Sequence, residues 1–284
     1  VFALSCVRVA SAGESALLRV KKAGVLRWGA DVQGGEPYAY TDPKDPSRIV
    51  GFEVDLANAI ARELSVRAEF SQCDWSTLVA SLERGTFDMA MNGLEVTEAR
   101  KARILMSRPY YVFAERLVVR DVSPIETATL PALSGKRVGT LASSLAHELL
   151  KDRATPVLYE GVEEPYIDLL QGRTDAVLLD DIIAERYGKK AGLRVLGDVT
   201  EGNYAIGFRR GDESLQDAVN QALAHLAQTG EWQAILTRAG LWNARQQAIA
   251  SMKETLPSMA AVQPSAARFP WTRCCATARP SWRR

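Results

Sequence analysis

Histidine and cysteine are scarce in this chain of 284 residues, and long apolar runs are absent. Two histidines and four cysteines leave no metal-ligand spacing, and Cys73 has no cysteine near it in sequence while Cys274 and Cys275 lie in an atypical tail, so neither a metal site nor a disulfide framework is expected. No stretch approaches the roughly 18 apolar residues of a membrane-spanning helix. There is no phosphate-binding glycine loop and no Ser-His-Asp order. The net charge of +1 is also deceptive. Residues Arg268 to Arg284 hold five arginines and no acid, which leaves 30 basic residues against all 34 acidic ones elsewhere, a net of −4. A mildly acidic body argues against nucleic acid as a partner.

What is present is an ordinary globular composition, 47% hydrophobic, with length for two domains. Strand and helix alternate along the first half. Val25 to Ala30 reads as a strand and Asp31 to Tyr38 as an acidic loop ending in an aromatic. Phe52, Leu56, Ala59, Ile60 and Leu64 fall on one helical face. Val66 to Phe70 and Phe87 to Met91 read as strands on either side of a helix that carries Trp75, Leu78, Val79 and Leu82. Such alternation implies an α/β fold with mainly parallel sheets covered on both faces. Open sheets of that kind bind ligands at the carboxyl ends of their strands. Asp31 to Tyr38 and Asn92 to Arg100 are both loops of that edge.

The second loop, Asn92-Gly93-Leu94-Glu95-Val96-Thr97-Glu98-Ala99-Arg100, has the chemistry of a carboxylate receptor. Thr97 is a good N-cap, the helix start offers backbone N–H groups, and the Arg100 guanidinium can hold two carboxylate oxygens. By itself the nonapeptide leaves open a solvated surface arginine instead.

The second half reads as another α/β unit. Ser134 to Gly139 turns into a strand, Ala142-Ser143-Ser144 caps a helix from Leu145 to Leu150, and Asp175 to Leu179 is a buried strand delivering Asp180 to its ligand edge. On its own residues Asp180 reads rather as the N-cap of Asp181 to Ala184. Val118 to Ser123 and Asp198 to Tyr204 read as two crossings between lobes, so lobe 1 is expected over 13–119 plus 203–245 and lobe 2 over 120–202. His147 and His225 read as surface or packed residues.

Gly51-Phe52-Glu53-Val54-Asp55-Leu56-Ala57, the Trp75 helix, Gly85-Thr86-Phe87-Asp88, Thr97-x-x-Arg100 and Ser107-x-Pro109-Tyr110-Tyr111 occur in one order and spacing. In these the chain resembles the family 3 extracellular solute-binding proteins, the amino-acid receptors of bacterial ABC importers, from about Leu26 to Trp242. The resemblance implies a two-lobe periplasmic-binding-protein fold that closes on its ligand about a hinge. It implies an amino-acid ligand, an ABC transporter permease as partner, a monomer outside the cytoplasm, no cofactor and no enzymatic activity. It further implies that Arg100 holds the ligand α-carboxylate, with help from backbone at Gly93, the Ser144 hydroxyl and the Leu145 amide. Asp180 would take the α-ammonium, and Asp31, Tyr38, Trp75, Asn92 and Glu95 would complete the cleft. Glu95 stands where most relatives have Ser or Thr. Asp31, Glu36, Glu95 and Asp180 together would favour a cationic or strongly hydrogen-bonding side chain, unless Glu95 pairs with the ammonium or a neighbouring arginine. A few proteins of this resemblance are dehydratases of prephenate or arogenate, in which Glu95 or Glu36 would be the acid.

The ends read differently. Val1 to Ala12 is expected to be the remnant of an export signal, with Cys6 in a context that faintly suggests lipid attachment. Gln246 to Ala267 reads as weakly helical, and residues 246–284 as a whole are expected to be disordered or non-native, as at the junction to a lost permease.

Overall fold

In the computed structural model, which describes residues 14–251, the alternation resolves into two five-stranded sheets. The first runs, in spatial order, Arg67–Gln72, Val25–Ala30, Met89–Ala90, Gly207–Phe208 and Leu105–Met106. Its first three strands are parallel, and Gly207–Phe208 joins antiparallel to its neighbours. Helix Phe52–Glu63 packs on it through Phe52, Leu56, Ala59 and Ile60, all buried. Gly51 is required just before that helix, since its φ is +135° and a Cβ there would lie 2.0 Å from the Tyr38 carbonyl oxygen.

The second sheet runs Leu193–Tyr204, Tyr111–Arg120, Ala176–Asp180, Arg137–Leu141 and Thr155–Tyr159. Its last three strands are parallel, whereas Tyr111–Arg120 is antiparallel to both neighbours. The crossing expected at 118–123 does not lie there. Val118 is inside this sheet, paired with Val177 and Val195, and the ladder with Leu193–Tyr204 already begins at Tyr111 and Tyr204. Ten consecutive residues make one unbroken strand, and an unbroken strand carries no mark of where the chain changes lobes. The ladder ends in an aromatic knot, where the buried Tyr204 ring stacks on Phe113 at 4.5 Å and on Tyr111 at 5.6 Å.

The start of the tail is the weakly helical stretch rather than disorder. Residues Ala244–Ser251 form a helix. Gln246 is fully buried, its amide nitrogen donating to the Val112 carbonyl at 2.7 Å and its oxygen accepting the Val112 N–H at 3.0 Å. That side chain continues the Tyr111–Arg120 ladder as a strand would. Gln246→Ala leaves both Val112 groups without a partner, and the expected cost is about 2 kcal/mol in denaturant unfolding. The export-signal expectation on residues 1–12, and the rest of the tail from 252, lie outside the described residues. No helix among the described residues is long and apolar enough to cross a membrane.

Candidate functional site

The carboxyl ends of both sheets face a cavity of about 30 Å³. Asp31, Tyr38, Trp75, Asn92, Gly93 and Glu95 line it from the first sheet's loops, and Ser144 and Asp180 from the second. Two further expected residues, Arg100 and Leu145, lie just behind this lining, in contact with Glu95. All ten residues are therefore gathered at one place.

Arg100 is held as the sequence suggested locally but is engaged differently. The Thr97 hydroxyl caps the short helix Glu98–Lys101 by accepting the Arg100 N–H. The guanidinium is buried, at 7% exposure, and lies 4.9 Å from the Trp75 ring centre. One Nη donates to the Glu95 carboxylate at 2.8 Å and to the Glu95 carbonyl at 2.9 Å. The other reaches across the cleft to the Ser143 carbonyl at 2.9 Å. Trp75 makes a second cross-cleft bond, from its indole N–H to the Ala142 carbonyl at 2.9 Å. Glu95 thus pairs with the neighbouring arginine. Burial raises its carboxyl above the usual range while Arg100 and the Leu145 amide pull it back.

Asp180 sits at the helix-cap position but makes no capping bond with its side chain. It accepts instead from the Tyr204 hydroxyl, and Tyr204 shares a 2.8 Å hydrogen bond with Tyr38. Burial, then the charge of Glu95, push the Asp180 carboxyl well above its ordinary value. Ser144 caps helix Leu145–Leu150 by accepting the His147 N–H, and it donates to the Leu141 carbonyl at 2.8 Å.

Three expectations need correction. Asp31 lines the cavity, but its carboxylate already accepts from the Gln33 N–H, the Gln72 amide and the Trp75 N–H, so it is the rivet of its own loop. The Gly93 amide points away from the cavity and donates to Glu53 at 2.7 Å. Glu36 lies outside the cavity, exposed and paired with Arg186 at 2.7 Å. In its stead Glu160 lines the cavity. The signal for Glu160 was available, since it follows the carboxyl end of the parallel strand Thr155–Tyr159.

Two buried acids escaped the sequence reading. Glu53 accepts from Gly93 and from the Tyr110 hydroxyl beneath the site. Its spacing with Ala57, Ile60 and Leu64 puts it on the buried helical face, which is the signal that could have found it. Glu115 shares a strand face with Phe113 and Leu117, which is the corresponding signal there.

Burial, opposed by its two hydrogen bonds, raises the Glu53 carboxyl to about 7. A carboxyl raised on folding binds more protons in the folded state than in the unfolded chain. Its stabilising contribution is therefore complete below about pH 4.5 and is lost as pH rises through 7, by about 3 kcal/mol. The expected result is a shallower fall in unfolding free energy between pH 5 and 8 for Glu53→Gln than for the parent.

Known proteins correspond to this architecture. The family described as bacterial extracellular solute-binding proteins, family 3, matches residues 26–240. The L-cystine-binding protein TcyJ of Escherichia coli is 30% identical over 79% of this chain and 85% of its own. The lysine/arginine/ornithine-binding periplasmic protein of the same organism is 32% identical over 69% of this chain and 80% of its own. Among solved structures, an ancestral amino-acid-binding protein that is a precursor of cyclohexadienyl dehydratase superposes with a TM-score of 0.70. It is 27% identical, covering 79% of this chain and 99% of that one.

Proposed function

The chain belongs to family 3 of the bacterial extracellular solute-binding proteins, and on that premise we propose that it captures an amino acid between its lobes and delivers it to an ABC importer permease. The site of action is the periplasm or the outer face of the inner membrane. The observation that carries the proposal is the placement of a buried cation and a buried acid on opposite sides of one cavity, Arg100 of the first lobe behind its Glu95 lining and Asp180 of the second lobe in the lining itself. A zwitterion leaving water needs both charges met, and each unmatched ion costs several kcal/mol. Only the closed arrangement offers both, so the ligand shifts the population toward closure. A cavity of about 30 Å³ is smaller than any amino acid, so entry requires the lobes to part.

A polar or cationic side chain suits the lining. With Asp31, Glu36 and Glu95 engaged elsewhere, this preference rests on Asp180 and Glu160. The relatives named above, which bind cystine or the basic amino acids, support the same class. The reading gives the protein no catalytic role. The dehydratase alternative draws on the kinship of the ancestral neighbour and on the raised Glu95 carboxyl.

The test is thermal unfolding of the full chain with each of the twenty amino acids, and with prephenate and arogenate, at 100-fold over a micromolar dissociation constant. A true ligand adds about 2.7 kcal/mol at that excess. A shift with one or a few amino acids is expected. Silence from all twenty, with turnover of prephenate or arogenate, would replace this reading with the enzymatic one.

A further inference from the structure

Strand Tyr111–Arg120 brings a third acid to the site. Glu115 stands beside Asp180 in the ladder, and carboxylate oxygens of Glu95, Glu115 and Asp180 lie within 4.8 Å of one another. All three residues are buried, Glu115 completely. Among the described residues neither Glu115 oxygen has a hydrogen-bond partner of good geometry, and the Ala146 backbone N–H gives it only partial relief. A buried, unpartnered carboxylate is a costly feature, and it marks a place for a positive charge.

The surroundings do not supply that charge. Arg100 is the cation in contact, and it is spent on Glu95. Tyr204 gives Asp180 a hydroxyl, and the Leu145 amide helps Glu95. Asp181, next in sequence, adds negative charge although it is paired with Arg245, and Glu148 adds more from the helix after Ser144. Arg116 faces Glu185 and Asp198, and the Tyr166 hydroxyl nearby is neutral. Two like charges at this separation repel by roughly 3 kcal/mol at an effective dielectric of about 20. Three acids with one cation do not all ionise under such conditions. Burial first, then Asp180 and Glu95, push the Glu115 carboxyl well above its ordinary value.

We propose that Glu95, Glu115 and Asp180 form one cation-accepting site that keeps a proton among its oxygens in the ligand-free protein and exchanges it for the ammonium of the incoming ligand. This rests on the amino-acid reading and adds to it. The exchange balances, because one positive charge arrives on nitrogen and one leaves as a proton to the buffer. Capture then strengthens as pH rises, by up to tenfold per unit while the site is titrating. Glu115 becomes a determinant of affinity for cations although it does not line the cavity.

Two measurements on the full chain test this. The first is a ¹³C NMR titration of carboxyl-labelled Glu and Asp without ligand, in the parent, Glu115→Gln and Asp180→Asn, all carrying Glu53→Gln so that the Glu53 carboxyl, itself raised to about 7, gives no signal. At pH 7 the parent is expected to show a carboxyl still protonated, and each variant to lose that signal. If every carboxyl has ionised by pH 6, the proposal is overturned. The second is calorimetry with arginine, lysine, histidine, glutamine and cystine in buffers of different ionisation enthalpy. About one proton released per ligand bound is expected, falling toward zero in Glu115→Gln. Binding without proton release overturns the exchange while leaving the amino-acid reading intact. Failure of every ligand with the proton still in place overturns the amino-acid reading, and the exchange with it. A Ca²⁺-dependent rise in the parent's unfolding midpoint that Glu115→Gln abolishes would overturn the proton in favour of a metal ion.

Discussion

Arg100→Ala is expected to abolish amino-acid binding and to destabilise the ligand-free protein by about 3 to 5 kcal/mol, the usual cost of breaking a buried ion pair by removing one partner. The guanidinium makes hydrogen bonds to Glu95 and Ser143 and packs against Trp75, so the substitution leaves Glu95, at 2% exposure, without its counter-ion. Loss of binding could then reflect unfolding alone. The double variant Glu95→Gln/Arg100→Met separates the two effects. It removes both charges, fills the space under Trp75, and is expected to recover most of the stability while still binding nothing. Recovery of ligand-induced stabilisation in the double variant would show that Arg100 is a structural ion-pair partner and that the ligand carboxylate lies elsewhere. Denaturant unfolding with and without ligand reads both quantities.

Asp180→Asn is expected to have the opposite signature. Binding should weaken on the order of 100-fold, which corresponds to about 3 kcal/mol and lies within the range for losing one partner of a desolvated charge pair. Stability should not fall with it. The carboxyl is buried among Glu95, Glu115 and Asp181, and its ordinary titration is already suppressed. An amide oxygen still accepts from the Tyr204 hydroxyl, while one of the crowded charges is gone. The unfolding midpoint should stay level at pH 5 and rise at pH 8, where the parent's acids repel most. A lower midpoint at pH 8 would mean that the Asp180 charge stabilises the fold.

The division between what the sequence revealed and what it hid follows the range of the physics involved. Thr97 and Ser144 cap helices within three residues of themselves, and both caps form as read. The face of Phe52, Leu56, Ala59 and Ile60 is likewise a local period, and it is buried. The gathering of Asn92 to Arg100 with Asp180 followed from the rule that ligand loops lie at strand ends, and it needed no distances. Polar partners are a different matter. Nothing in the spacing of Asp31 says that Gln72 and the Trp75 amide will occupy its carboxylate from another part of the chain. Nor does Glu36 in an acidic loop disclose that Arg186 will hold it outside the cavity. The buried acids Glu53 and Glu115 were in phase with hydrophobic faces, but an acid in such a register reads as a break in the pattern. Gln246 was hidden for a related reason, since one glutamine in a weakly amphipathic segment gives no sign that a strand edge awaits it.

In the proposed binding mode Arg100 receives the ligand's carboxylate while the acids across the cavity receive its ammonium. The most direct test is a calorimetric titration, at one pH, of the amino acid that binds most tightly and of its α-methyl ester. The ester keeps the ammonium and the side chain but removes the carboxylate charge. The ester is expected to bind the parent protein at least 100-fold more weakly than the amino acid. Equal affinity for acid and ester in the parent protein would contradict it, leaving Arg100 as the partner of Glu95 and the cleft as a receptor for amines.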